Sequence, residues 1–531
     1  MQYRWVGKCG WGCLVSLSLL SCGPVGRISE GRHAPELAAD GGSEDAPAPE
    51  VDAGSSGNSP ELVLPTPTEP DDPAADPDGD GLSSEFERTH GTDPERADTD
   101  EDGVTDLIET VAGTDPRNAE STPAAQGDFY FLSPYAEEPA PQRETLQFST
   151  SLHSADLFIL VDTTGSMQPV LSVLQERLTS TIVPKAAELI ADLHIGVGSF
   201  EDVPLAPYGN EGDAVLTITQ TPSTAAASVQ AGVNALALGS GGDGPEGGMI
   251  ALHALATGRG FGAYLPNGPA CAAGGIGYAC FRPDAVPIVL LISDAEFHNG
   301  PSGENPYVGI EPALPVYADT LAALRAIHAR VISIQMRAYA NAVPIMPADP
   351  TAPVGPEPVV PSDPINMQMR ALSRDTGAVT SDGEPLFFEI DNTASTLDAR
   401  VVDAVRAVAQ RVPIEVSTVL RDDPTDDVDA TKLVERIEVH RGAGAYVGGR
   451  ACRTDLSSSD RDHDGSDDTF TAVEPGMPVC FDVRPRKNEL VTPRAKPAVF
   501  RAFIDVVTNG MTVLDTREVH FLVPAASPVL E

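Results

Sequence analysis

Residues 156–167 read "DLFILVDTTGSM". The apolar residues before the second aspartate run on without alternation, which is typical of a parallel strand buried on both faces. The run stops at Asp162, and two hydroxyl side chains, Thr164 and Ser166, follow closely. In an open α/β sheet, ligands bind beyond the carboxyl ends of the strands. The stretch therefore predicts a central strand that brings one carboxylate and two hydroxyls to a binding edge.

Similar apolar strands recur downstream and alternate with segments of helical spacing. The strand-like segments are "LHIGVGSF", "VPIVLLISD", "VISIQM" and "LFFEI". We expect an α/β fold over residues 156–412, a doubly wound and mostly parallel sheet. From residue 413 the apolar period changes to two, and Asn509-Gly510 marks a hairpin turn. A β-sandwich is therefore expected over 413–526, and 127–155 is expected to be an irregular lead-in.

Acidic residues follow the other strands of this sheet. Asp202 comes after "IGVGSF", Asp294 comes after "LLIS", and Asp243 and Glu246 lie in the loop "GGDGPEGG". These acids should meet the hydroxyls near Asp162 at one edge of the sheet. A site built only from oxygen atoms suits a hard divalent cation.

Two catalytic alternatives fit less well. "DTTGS" could be a variant of the phosphorylated-aspartate motif "DKTGT", but Thr163 replaces its lysine and no acid stands two residues after Asp162. Serine hydrolysis at Ser166 lacks the "GxSxG" turn and a partner histidine nearby in the sequence. We therefore expect a binding protein and not an enzyme, with a hydrolase as the weaker alternative.

Four segments resemble a known family. "DTTGS" fits the D-x-[ST]-x-S motif of the von Willebrand factor A domain, and "IGVGSFEDVPLAPY", "DGPEGGMIAL" and "ISDAEFH" are similar to ordered segments of the integrin β subunit I-like domain. The resemblance covers about residues 156–412. It implies a metal ion-dependent adhesion site that holds Mg²⁺ or Mn²⁺ and binds a carboxylate from an Asp or Glu of a partner protein. The residues implied for this site are Asp162, Thr164, Ser166, Glu246 and Asp294.

The same resemblance implies a neighbouring second calcium site formed by Asp202, Asp243, the Pro245 carbonyl and Glu246. Gly241 stands where the family has asparagine, so this second site should be weaker. Gln168-Pro169 replaces two acids of the family, so a third metal site is not expected. His298 is expected to be a loop residue and not a ligand.

An internal repeat with an offset of 22 residues precedes the α/β region, and it occupies 76–120. Each copy has carboxylates at loop positions one, three and five, glycine at six and glutamate at twelve, as calcium loops do. The spacing resembles EF-hand loops, and the "GTDP" joints resemble thrombospondin type 3 repeats. The implied Ca²⁺ ligands are Asp76, Asp78, Asp80, Glu87, Asp98, Asp100, Asp102, Asp106 and Glu109. A third acidic loop, with Asp460, Asp462 and Asp464, lacks the closing glutamate, so calcium binding and an ordinary acidic hairpin both stay open.

The N-terminus has the pattern of an export signal. A basic start and an apolar stretch lead to "LLSC", which resembles a bacterial lipoprotein signal over 1–21 with lipidation at Cys22. Residues 22–75 are rich in Pro, Ala and acids and are expected to be a disordered tether. Localisation in the bacterial cell envelope, at the outer membrane, is expected, with contact to the membrane through the lipid alone. Four cysteines remain and allow three pairings; the local one, Cys271–Cys280 and Cys452–Cys480, is the simplest.

The formal net charge of −44 argues against nucleic acid as a partner, because nucleic acid is itself a polyanion. Together these features predict a surface lipoprotein that binds another protein through a metal site. The alternative is a structural envelope-assembly protein in which the metal is incidental.

Overall fold

The computed structural model describes residues 75–337, 363–442 and 452–525. The predicted signal, Cys22 and almost all of the tether lie outside the described residues. Within these residues the architecture is mixed α/β, with three sheets, one of which is mostly parallel. No helix in the described ranges is both long enough and apolar enough to span a bilayer.

The two repeats each form a loop followed by a short helix, α1 (Ser84–His90) and α2 (Asp106–Ala112). The hydroxyls of Ser83 and Thr105 cap the two N-termini, and glycines with positive φ, Gly91 and Gly113, end both helices. A short third helix, α3 (Pro123–Gln126), leads into the strands. The two copies therefore begin and end their helices with equivalent caps.

The parallel sheet has the strand order β5-β4-β3-β6-β7-β8. All neighbours are parallel except β5, which runs antiparallel to β4 at the edge. This edge strand was not expected from the sequence, because its residues are mostly polar and only half-buried. The strands are β3 (Ser154–Asp162), β4 (Asp192–Phe200), β5 (Thr217–Ser223), β6 (Val286–Ser293), β7 (Arg330–Met336) and β8 (Phe387–Ile390).

Helices cover both faces of this sheet. On β3, Leu157, Ile159 and Val161 face one apolar cluster with α4, α6 and α10, while Phe158 and Leu160 face another with α7, α8 and α9. The unbroken apolar run of β3 is therefore explained by burial on both sides. The helices are α4 (Gln168–Arg177), α5 (Val183–Ala187), α6 (Ala226–Asn234), α7 (Gly248–Thr257), α8 (Tyr317–Ala326), α9 (Pro364–Asp375) and α10 (Leu397–Gln410).

The C-terminal region forms two further sheets, ordered β1-β15-β14-β9-β12-β11 and β10-β13-β2. Phe470 and Phe481, from different sheets, pack with ring centroids 5.2 Å apart, so the sheets face each other as a sandwich. The hairpin at Asn509-Gly510 is confirmed, and both residues have positive φ. The strands are β1 (Phe129–Leu132), β2 (Glu144–Phe148), β9 (Ile414–Asp422), β10 (Val434–Val439), β11 (Ser458–Ser459), β12 (Thr469–Val473), β13 (Val479–Pro485), β14 (Ala498–Thr508) and β15 (Thr512–Val523).

Two of these strands come from the expected lead-in at 127–155, which is therefore not irregular. β1 pairs in parallel with β15, and β2 pairs antiparallel with β13. The sandwich thus consists of β1 and β2 together with β9 to β15, and the α/β region is inserted between these two groups of strands. Both disulfides of the simplest pairing, Cys271–Cys280 and Cys452–Cys480, are present.

Candidate functional site

The carboxyl ends of three neighbouring strands form the candidate site. β3 lies between β4 and β6, and its register places Asp162 opposite Phe200, and Val161 opposite Ile292. The residues that follow these strands, Thr164, Asp202 and Asp294, therefore leave the sheet at the same edge. The order of the strands alone brings these acids together.

Asp162 is fully buried and organises the turn after β3. One of its oxygens accepts hydrogen bonds from the Thr164 amide at 2.9 Å and from the Thr164 hydroxyl at 2.8 Å. The other accepts from the Ser293 hydroxyl at 2.6 Å. Burial raises the pKa of Asp162 to about 6, against the effect of these hydrogen bonds. The Thr164 and Ser293 hydroxyls donate their hydrogens to Asp162 and keep their oxygen lone pairs. Asp162 therefore fixes the orientation of two neutral oxygen atoms that can act as ligands.

A second acid–hydroxyl pair lies nearer to solvent. The exposed Ser166 hydroxyl donates to the half-buried Asp294 at 3.0 Å, which joins the turn after β3 to the loop after β6. Burial also raises the pKa of Asp294. Buried Asp162 and exposed Ser166 thus mark the floor and the mouth of the same site.

Glu246 completes the group from a third loop. Its amide donates to the Glu296 carbonyl at 2.8 Å, and its carbonyl accepts from the His298 amide at 2.9 Å, so the loop is fixed to the segment after β6. Its side chain is 4% exposed, and its Oε2 has no hydrogen-bond donor. Burial, followed by the nearby charges of Asp162, Asp202 and Asp243, raises the pKa of Glu246 to about 10. An orphaned buried carboxylate is costly, and a divalent cation beside it would remove that cost.

The surroundings of the site carry a single sign of charge. The loops 163–167, 201–213, 237–247 and 294–312 contain ten acidic side chains and no lysine or arginine. An edge that carries only negative charges raises the local concentration of cations. The donor set, the orphaned oxygen and the local field all fit a hard divalent cation.

The glycines after Glu246 are required by close packing. A Cβ on Gly247 would lie 2.6 Å from the Glu201 carbonyl oxygen, and a Cβ on Gly248 would lie 2.5 Å from the Phe297 ring. The "PEGG" segment therefore lets the Glu246 loop approach the ends of β4 and β6.

The replacement Gly247→Ala is expected to push the Glu246 loop outward and to weaken any binding of a divalent cation at this edge roughly tenfold, as loss of a supporting contact around a metal site does. The measurement is Mg²⁺ titration by calorimetry. Gly244→Ala is the matched control, since a Cβ there meets no atom within 4 Å. Equal weakening by both substitutions would contradict the packing argument.

The residues implied for the second calcium site do not form acid–hydroxyl pairs like those of the adhesion site. Asp202 is fully buried; its Oδ1 accepts from the Tyr307 hydroxyl at 2.5 Å and the Val203 amide at 2.6 Å, while its Oδ2 has no hydrogen-bond donor. Burial raises the pKa of Asp202 to about 6. Asp243 lies at the surface of the neighbouring loop, and Pro245 directly precedes Glu246.

The residue that sequence reasoning missed is His298. It is buried, with Nε2 lying 3.1 Å from Asp243 Oδ1 and 3.5 Å from Asp202 Oδ2. His298 lies in a loop, as expected, but the sequence did not indicate that its ring is buried beside two acids. The available signal was its position four residues after Asp294, in a loop already expected at the metal edge.

The two repeat loops gather their acids as expected. Asp76, Asp78 and Asp80 form one cluster, and Asp98, Asp100 and Asp102 form the other. The closing glutamates, Glu87 and Glu109, are fully buried and have carboxylate oxygens without any donor. Asp106 differs from these glutamates, because both of its carboxylate oxygens already accept hydrogen bonds from Thr99. Orphaned buried oxygens facing acid clusters fit bound calcium in both loops.

The third acidic loop shows only part of this pattern. Asp460, Asp462 and Asp464 cluster, and the Gly465 amide donates to Asp460 at 3.0 Å. Thr471, at position twelve, lies in β12 and offers no carboxylate. Calcium binding at this loop stays a prediction.

Comparison with known families and structures supports the repeats. The model described as "Bacterial TSP3 repeat" matches residues 76–97 and 98–119. No curated protein matches the chain. Similar solved structures include the pilus adhesin SpaC from Lactobacillus rhamnosus GG, in its open conformation, at 11% identity and a TM-score of 0.28, covering 75% of this chain and 47% of that one. Another is proximal thread matrix protein 1 from the mussel byssus, at 13% identity and a TM-score of 0.27, covering 51% and 50%.

The chain spans about half the length of each of these structures. At such TM-scores, neither likeness bears on fold or function. The family match extends over the repeats alone, and within that range the expectation of two thrombospondin type 3-like, calcium-binding repeats is confirmed.

Proposed function

We propose that this chain is an exported surface protein whose α/β region, a doubly wound von Willebrand factor A fold, binds a partner protein through a metal ion-dependent adhesion site. The observation that carries the proposal is the orphaned, buried carboxylate of Glu246 beside two acid–hydroxyl pairs, Asp162–Thr164 and Asp294–Ser166. Without a cation, this arrangement would place several carboxylates together with no compensating charge. Mg²⁺ or Mn²⁺ is the ion that such oxygen ligands prefer.

In this proposal each residue has a role. Asp162, from the buried floor, orients the Thr164 hydroxyl, and Asp294 orients the Ser166 hydroxyl. Glu246 offers a carboxylate oxygen without a hydrogen-bond donor from the third loop. Because Ser166 is exposed, the mouth of the site is open to a carboxylate of an Asp or Glu on the partner, which a bound cation would attract. We propose binding and not catalysis, since the partner of the Ser166 hydroxyl is Asp294 and not a histidine base.

The proposed setting is the bacterial cell envelope. Lipidation at Cys22 would anchor the chain to the outer membrane, and the acidic tether with the calcium-loaded repeats would hold the binding region away from the surface. The family match to bacterial repeats supports this placement.

The replacement Asp294→Ala is expected to weaken Mn²⁺ binding at least tenfold, or about 1.4 kcal/mol, because it removes one acid and frees the Ser166 hydroxyl. The test is calorimetric titration of the full chain with Mn²⁺ after Ca²⁺ has saturated the repeats. Asp284→Ala, an exposed acid at the opposite end of β6, is the matched control and should bind like wild type. Capture of a partner from the native cell surface should fail in EDTA and with Asp294→Ala.

Equal Mn²⁺ affinity in wild type and Asp294→Ala would exclude the adhesion site. Partner capture that persists in EDTA would instead favour a structural assembly role with an incidental metal. Activity lost on Ser166→Ala, with Mn²⁺ binding intact, would point to a hydrolase.

A further inference from the structure

The His298 ring lies between two acids next to the proposed adhesion site. Its Nε2 is 3.1 Å from Asp243 Oδ1 and 3.5 Å from Asp202 Oδ2. His298 is 3% exposed and Asp202 is fully buried, whereas Asp243 faces solvent. One atom from each of the three side chains falls within 4.8 Å of the other two. This spacing is compatible with three ligands of a single ion.

The other ring nitrogen sets the hydrogen-bonding pattern. His298 Nδ1 lies 2.7 Å from the carbonyl oxygen of Asn305, which can only accept. Nδ1 must therefore carry the hydrogen, and in the neutral ring Nε2 is left with a lone pair. That lone pair faces two carboxylate oxygens, and the arrangement is repulsive unless a proton or a metal ion lies between the nitrogen and the oxygens. A histidine that ligates a metal through one nitrogen and donates to a backbone carbonyl through the other shows this pattern.

Asp202 provides an independent indication. Its Oδ1 is already satisfied by Tyr307 and Val203, whereas Oδ2, fully buried and facing His298, has no hydrogen-bond donor. Such an oxygen requires a cation or a donor close by. The rings of Tyr208 and Tyr307 pack against His298 with centroids 5.1 and 4.4 Å away, and they fix its orientation.

An oxygen-only calcium site does not fit these positions. Calcium takes six to eight oxygen ligands, but the imidazole occupies the space between the two acids, and Gly241 offers no side-chain oxygen. One nitrogen and two carboxylates are instead a ligand set suited to Zn²⁺ or a similar transition metal.

We propose that Asp202, Asp243 and His298 form a site for a transition-metal ion such as Zn²⁺, in place of the second calcium site that the sequence implies. This site goes beyond the proposed adhesion function and does not depend on it. Asp243, the exposed ligand, leaves the side facing solvent open for a water molecule or a further ligand. Zn²⁺ held here would also offset the acidic charge beside Glu246.

The test is calorimetric titration of the full metal-stripped chain with Zn²⁺, in buffer with Ca²⁺ and Mg²⁺ high enough to fill the oxygen sites. Wild type should bind one Zn²⁺ that Ca²⁺ does not displace. His298→Gln and Asp243→Asn should each weaken that binding more than tenfold, a loss at least as large as that from altering groups that only support a ligand. Asp243→Asn matters because this exposed position should tolerate the change without misfolding. His194→Gln, at the opposite end of the sheet beside Asp192, is the control and should bind like wild type.

Co²⁺ gives a second readout, since its visible absorption should change with His298→Gln but not with His194→Gln. The proposal is overturned if wild type takes up no Zn²⁺ under these conditions, which would indicate a doubly protonated His298 paired with the acids. It is also overturned if Zn²⁺ binding survives His298→Gln, or if Ca²⁺ competes for the site. Loss of Zn²⁺ binding with Mn²⁺ binding retained separates this site from the adhesion site.

Discussion

Replacement of Phe148 by alanine is expected to lower the free energy of unfolding of the sandwich by about 3–5 kcal/mol, the usual cost of removing a buried phenylalanine ring. Phe148, at the end of β2, is fully buried, and its ring centroid lies 6.1 Å from that of Phe481 on the partner strand β13. Phe131 on β1 is equally buried and stacks on Phe521 of β15 at 5.6 Å, so Phe131→Ala should act similarly. Few substitutions in this chain should cost more.

The measurement is hydrogen exchange in β13 and β14 of the full chain, combined with denaturant unfolding. Both phenylalanine replacements should raise exchange in these strands, although they lie more than 300 residues away in the sequence. Phe503→Ala is the matched control. Its half-buried ring lies against the guanidinium groups of Arg421 and Arg501, at 4.4 and 5.3 Å. Removing this ring should therefore lower the free energy of unfolding by only about 1 kcal/mol. Unchanged exchange in β13 after Phe148→Ala would show that β2 is not part of the sandwich core.

Strands with a strong local pattern were predictable, and strands defined by distant pairing were not. "DLFILV" and "VPIVLLIS" are apolar without interruption, because both faces of β3 and β6 are buried, and both strands are confirmed. β1 and β2 have only four and five residues and are partly half-buried. Their stability comes from β15 and β13, far along the chain, and no local signal reveals such pairing.

The same distinction applies to the candidate site. Asp162, Asp294 and Glu246 follow strands or fit a motif, and the strand order brings their loops together. Asp202 also lies at this edge, but its environment depends on Tyr307 and His298, which come from a loop more than 90 residues later. That loop turns back through Asn305, whose φ of 49° is rare outside glycine. The positions of the acids in the sequence indicated that they lie at one edge of the sheet. They did not indicate that the His298 ring lies beside Asp202 and Asp243.

Removal of calcium is expected to loosen the two repeats and release them from the sandwich. The closing glutamates are fully buried, and burial, together with neighbouring aspartates, raises the pKa of Glu87 to about 7 and that of Glu109 to about 8. Burial therefore disfavours the ionised form of both side chains, and a bound Ca²⁺ would favour it again. A ligand at 100 times its Kd stabilises the folded state by about 2.7 kcal/mol per site, so emptying both loops should have a large effect.

The second loop is also the contact with the sandwich, so calcium loss should spread to that contact. The Tyr130 hydroxyl of β1 donates to the Gly103 carbonyl at 2.6 Å, and Gly103 is position six of the loop. Beside it, Val104 and Ile108 pack against Leu522 of β15. If the loop backbone changes when calcium is lost, the Gly103 carbonyl that accepts the Tyr130 hydrogen bond will move. Chelation should therefore raise hydrogen exchange and proteolysis at 98–112 and expose the edge formed by β1 and β15.

The replacement Glu109→Gln separates calcium from other effects of a chelator. It removes the closing charge while keeping the shape of the side chain, so the second repeat should show the high exchange of the calcium-free state even when calcium is present. Glu101→Gln is the matched control in the same loop, because its side chain is 73% exposed and pairs with Arg96 at the surface. Glu101→Gln should bind calcium like wild type. If chelator, Glu109→Gln and Glu101→Gln all left exchange at 98–112 unchanged, the loop would be held by its helix caps and by Tyr130 alone, and calcium would have no structural role there.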